Sequence, residues 1–136
     1  MADISITAAN VKLVSGPSEQ LKAGAAVTAG QIAYRDSATK TAKLADNDSA
    51  TAEVRAVFGM ALHAAAVDQP IALAKSGAVV DLGAVLTAGV DYYLSGTAGA
   101  ICPRADVTTG DDPIRIGMAL TTSRLQLDFN DPNVTL

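Results

Sequence analysis

The chain has 136 residues, ten basic and fourteen acidic side chains and a formal charge of −4, which allows one domain or two very small ones and excludes a large multidomain enzyme. A single cysteine, Cys102, excludes a disulfide-stapled scaffold. The apolar fraction is 49%, but 27 residues are Ala and there is no Trp, so a thin core that leans on neighbouring subunits is expected, because Ala carries few of the methylenes whose burial yields about 25 cal/mol per Å².

In chain order, Met1-Ala2-Asp3-Ile4-Ser5 lacks the basic and then apolar pattern of a secretory leader, and no later stretch approaches the length of a membrane-spanning apolar run. Synthesis in a cytoplasm and no membrane partner are the expectation. Ile4 and Ile6, then Val11 and Leu13, predict an N-terminal strand pair within an arm over residues 1–14. A single compact β domain over 15–136 follows, ending in the short tail Asn130–Leu136. Ser15-Gly16 reads as an opening turn, Thr28-Ala29-Gly30 as a second turn, and Gln31 to Arg35 as an extended run. Asp46-Asn47-Asp48 would cap a short helix over Ser49 to Ala56. Phe58, Met60 and Leu62 then alternate, and Ile71 and Leu73 complete a hairpin.

From Ser76-Gly77 the pattern starts again. Gly24-Ala25-Ala26-Val27-Thr28-Ala29-Gly30 returns as Gly83-Ala84-Val85-Leu86-Thr87-Ala88-Gly89, and Gly59-Met60-Ala61-Leu62 returns as Gly117-Met118-Ala119-Leu120. Two words in the same order at nearly the same offset predict a duplicated unit, about 15–75 and 76–130. In the second copy Val90 to Leu94 is the extended run. Ile114, Ile116, Met118 and Leu120 are expected on one buried face, and Leu125, Leu127 and Phe129 close the hairpin. Short strands punctuated by Gly indicate an all-β protein, a small β-sandwich or barrel with at most one short helix.

Chemistry is sparse. His63 is the only histidine and reads as a strand-end residue rather than the base of a catalytic triad. Cys102 reads as a small buried thiol. Asp46-Asn47-Asp48 and Asp111-Asp112 carry oxygen ligands of the kind calcium takes, but Asx residues also build turns, and the turn reading is preferred. No zinc, phosphate-loop or dinucleotide motif is present. We therefore expect no catalytic residue, no cofactor and no metal. The cations of the second half, Lys75, Arg104, Arg115 and Arg124, are scattered, which argues against nucleic acid as a partner.

Several segments resemble the capsid cement, or head decoration, proteins of tailed bacteriophages. They are Leu44 to Thr51, Val57 to Leu62, Leu86-Thr87-Ala88-Gly89 before Tyr92-Tyr93-Leu94-Ser95, Gly99 to Pro103, and Ile116 to Leu120 before a terminal strand. The resemblance spans about residues 20 to 130 and implies a non-enzymatic virion protein. Such a protein forms homotrimers on the outer capsid surface and bridges major capsid protein subunits. The arm and the tail, outside both units, are the segments expected to exchange between subunits or touch the capsid. The alternative is a head- or tail-fibre component binding a host surface glycan, for which Tyr92-Tyr93 is the candidate pair. Strand alternation puts those rings on opposite faces. A small hydrolase is disfavoured by the lone histidine.

Overall fold

The computed structural model describes residues 3–47 and 51–131. Its strands are β1 (Lys12–Ser15), β2 (Ser18–Ala23), β3 (Ile32–Asp36), β4 (Thr41–Leu44), β5 (Val57–Ala61), β6 (Pro70–Ala74), β7 (Val79–Asp81), β8 (Asp91–Leu94), β9 (Ile101–Pro103), β10 (Arg115–Ala119) and β11 (Arg124–Asn130). The molecule is all-β. Helical structure among the described residues is limited to 3-10 turns at Ala8–Asn10, Ala52–Arg55 and Arg104–Asp106. The helix expected over Ser49 to Ala56 is the second of these, with 48–50 outside the described residues. Thr51 offers it no side-chain cap, and a run this short cannot repay the cost of nucleating an α-helix.

The strands form a closed barrel in the order β2-β4-β3-β5-β6 and an open sheet in the order β1-β7-β11-β10-β8-β9. Apart from β1, these are the same arrangement twice, with β2 to β6 answering to β7 to β11. The register repeats as well. Tyr34 pairs with Lys43 as Tyr93 pairs with Cys102, and Ile32 pairs with Met60 as Asp91 pairs with Met118. Each copy slips by one residue at the same place, Phe58 in β5 and Ile116 in β10 being passed over in the pairing. Each Thr-Ala-Gly turn ends in a left-handed glycine, φ +90° at Gly30 and +82° at Gly89. Each of those glycines donates its N–H to the end of the bulged strand, Gly30 to the Ala61 carbonyl and Gly89 to the Ala119 carbonyl, both at 2.8 Å.

One copy closes and the other does not because of what points inward. Interior width grows with strand number, and about eight strands are needed before ordinary side chains fill a barrel comfortably. The five-stranded barrel is accordingly lined by Ala23, Ala33, Ala42, Ala61 and Ala65, with Val27, Ile71 and Leu73. At matching positions in the open sheet stand Tyr92 for Ala33 and Ile101 for Ala42, both buried. Ala at these two barrel positions leaves room in the narrow lumen for Ile71 and Leu73. The open sheet instead packs one face on the barrel's outer wall, where Ile32, Tyr34, Met60 and Ala74 share a core with Val80, Leu82, Leu94, Ile116, Leu125 and Leu127. Five of the 27 Ala thus stand where a narrow lumen favours small side chains.

Two expectations are corrected. The second-copy strand does not bury Ile114, Ile116, Met118 and Leu120 on one face. Ile114, Ile116 and Ala119 are buried, Met118 is half-buried and Leu120 is 44% exposed. The irregularity between Arg115 and Gly117 inserts one residue and reverses which face the later side chains take. Met60 and Met118 therefore share a register but not an environment, because Met60 packs in the core between barrel and open sheet, whereas Met118 lines a groove with Arg115, Gln126 and Asp128. The N-terminal segments also do not pair with each other. Ile4 donates its N–H to the Ile101 carbonyl at the β9 edge, whereas β1 pairs antiparallel with β7. Each found an unfilled sheet edge.

Candidate functional site

His63 lies exposed in the connection after β5. Its Nδ1 is 2.9 Å from the Ala64 carbonyl oxygen, and its Nε2 accepts the Ala72 N–H at 3.1 Å. Both nitrogens are thus occupied in holding the connection against β6, as fits a strand-end residue.

Cys102 is buried in β9. Burial pushes its thiol up to about 12, and the carboxylates of Asp3, Asp106 and Asp111 push the same way. It is therefore protonated at neutral pH, whereas the thiolate is the nucleophile. Tyr92 is 2% exposed and accepts the Thr87 N–H on its hydroxyl. Tyr93 faces the other side with the Arg104 guanidinium 5.9 Å from its ring centre. The two rings do not form one platform.

The two Asx clusters, remote in sequence, meet. Asp112 donates its backbone N–H to the Asn47 carbonyl at 3.1 Å, and Asn47 donates its own backbone N–H to the Ser95 carbonyl. The Asn47 side-chain amide donates to the Leu94 carbonyl at 2.8 Å. Asp112, 5% exposed, holds Arg55 at 2.7 Å, and Ser95 Oγ donates to the Asp3 carboxylate. These groups rivet the first copy to the second at a buried seam. Asp111, in contrast, accepts the Thr108 N–H and builds an ordinary turn. Asp48 lies outside the described residues. Among the described residues no group of three His, Cys, Asp or Glu side chains gathers around a metal-sized site.

The face of the open sheet that bears Met118 presents paired charges. Arg115 bridges Asp91 at 3.1 Å and Asp128 at 2.6 Å. Beside it, Ser76, Gly77, Met118 and Gln126 line a shallow groove. Lys12, Asp81 and Arg124 share one cross-strand row, a pattern that favours pairing over repulsion. Lys75 is held inward, donating to the Phe58 carbonyl at 2.7 Å with its ammonium 3.2 Å from the Phe58 ring centre. Burial lowers its pKa. At the sheet margin, β1 leaves Leu13 and Val14 37% and 40% exposed.

Together these features are a polar sheet face, an edge strand with two exposed aliphatic side chains, and an N-terminal segment laid along a seam. The sequence reading located the arm but not the seam, since contacts between Asn47, Leu94 and Asp112 depend on tertiary packing. A scan of protein-family models gives no match to this chain, and a search of curated proteins gives none either.

Proposed function

We propose that this chain is a structural protein of a bacteriophage virion that decorates the outside of the head, as a homotrimer bridging major capsid protein subunits. The observation that carries the reading is where the resembling segments fall. Val57 to Leu62 covers the bulged strand β5 and Ile116 to Leu120 most of the bulged strand β10, Leu86 to Gly89 is a turn ending in a left-handed glycine, and Gly99 to Pro103 runs into the edge strand β9, while Leu44 to Thr51 leaves β4 and has 48–50 outside the described residues. The likeness to head decoration proteins therefore involves the skeleton of both repeats rather than a scatter of surface residues. The paired-charge face and the exposed strand margin suit contact with other protein subunits.

Cementing is a linkage effect: a ligand that binds only the assembled lattice stabilises it in proportion to the logarithm of concentration over dissociation constant, and many sites on one shell act together. The test adds purified protein to mature, expanded heads that lack it. Co-sedimentation with heads and raised survival on heating or in low salt are expected. Unchanged head survival, together with binding of the isolated protein to host cells, would replace this reading with the glycan-binding fibre alternative.

A further inference from the structure

We infer that residues 3–15 form an exchangeable arm whose docking seam takes the same segment of a second copy of this chain. In the barrel, β2 and β4 meet directly and in parallel through Lys22 with Thr41 and Ala23 with Ala42. Their counterparts β7 and β9 stand at separate places in the open sheet, and the arm serves both edges. Ile4 hydrogen-bonds to β9, and β1 lies on β7 with Lys12 opposite Asp81 and Leu13 opposite Val80. Val11 is buried, and Ile4 and Ile6 pack on the core. The occupant that fits this seam, in register and in charge, is thus already known: it is this chain's own segment.

Nothing in either repeat needs that segment to come from the same molecule. The ten strands of the two repeats keep all their mutual pairings without β1, which pairs with β7 alone. Its four residues are all exposed. The tether is Ser15-Gly16-Pro17. Gly16 is at φ +98°, and a Cβ there would lie 2.5 Å from the Ala78 Cα, so the fold-back depends on glycine at this position. The following proline biases its predecessor toward an extended backbone, the geometry that carries an arm away to a neighbour. Exchange remakes the same contacts in trans, so it costs association entropy and little else, which is why swapped elements are a low-cost route to oligomers. Passed head to tail round a ring, the arm gives a closed cyclic assembly. This inference concerns self-association and does not rest on the virion reading.

The test uses the full chain carrying Lys12→Cys and Asp81→Cys, at positions paired across β1 and β7. Cys102 is buried and stays out of the reaction. After mild oxidation of the folded protein at high concentration, a non-reducing denaturing gel is expected to show covalent species of two or more copies, several-fold above the single-cysteine controls. Cross-linked monomer alone would overturn the inference. As a second measurement, folded Lys12→Cys protein is mixed with folded Asp81→Cys protein and oxidised, and a disulfide-linked species of two copies is expected several-fold above either protein oxidised alone. A mixture that gives no such species would equally overturn the inference.

Discussion

Met60 and Met118 hold matching positions in the two repeats and offer a controlled comparison. Met60 is completely buried between the barrel wall and the open sheet. Truncation to Ala removes the thioether arm and leaves a void that neither layer can close, a loss of about 2–5 kcal/mol for large-to-small core changes of this kind. Met118 lies half-buried on the other face of its sheet, lining an open groove. Its truncation leaves no enclosed cavity, and only part of a side-chain transfer term is lost, about 1 kcal/mol. Urea denaturation followed by circular dichroism measures both. With a slope of about 1–3 kcal/mol per molar, Met60→Ala is expected to lower the midpoint by about 1–3 M and Met118→Ala by a few tenths. The Asp substitutions sharpen the contrast: Met60→Asp should not fold, because an unpaired carboxylate in that core costs several kcal/mol, whereas Met118→Asp should. Equal losses at the two positions would refute the claim that the repeats share register but not burial.

Backbone spacing and charge supply two further expectations. A Cβ at Gly117 would collide with the Gln126 carbonyl oxygen, whereas one at Gly89 would meet nothing within 4 Å. Gly117→Ala should therefore lose most of its thermal stability, while Gly89→Ala should lose about 1 kcal/mol for its left-handed φ alone, both read from melting curves. The hydrogen bond from Lys43, at 2.7 Å, is the main cause holding the Asp36 carboxyl below its ordinary pKa. A folded pKa below the unfolded one adds stability that is present above the unfolded value and fades as pH falls through the folded one. Asp36→Asn should thus melt lower than the parent at neutral pH and converge with it in acid. A gap that persisted or widened in acid would contradict the assignment.

The duplication was legible because the repeated words are the parts of each copy that backbone geometry constrains, the left-handed turn at Gly30 and Gly89 and the strand that follows. The hairpins at β5-β6 and β10-β11 were legible from alternation. What alternation missed was the bulge: one extra residue at Ile116 turns Met118 and Leu120 outward, and a period-two pattern carries no mark of such a slip. The short strands β2, β4, β7 and β9 were not read: Ser18-Glu19-Gln20 and Thr41-Ala42-Lys43 in the first copy have little of the branched or aromatic bulk that signals a strand, and Val79–Asp81 and Ile101–Pro103 in the second are three residues each, too short for alternation to show. The Ala23 and Ala42 that line the barrel carry no strand signal until the barrel is closed. The rivet of Asn47, Ser95 and Asp112 was hidden for a related reason. Its bonds run largely through main-chain carbonyls, which side-chain motifs do not reveal.

The placement of β1 on β7 also sets an order of events during synthesis. Lys12 leaves the ribosome about seventy residues ahead of its partner Asp81, an interval of roughly 4–14 s at bacterial or eukaryotic elongation rates. All five barrel strands emerge within it, and strand pairing in small β-proteins needs milliseconds to seconds. The barrel can therefore close while the first residues of the chain still wait for an edge that does not yet exist. The exchange proposed above has its earliest opportunity in that interval, before the chain's own β7 can capture the arm.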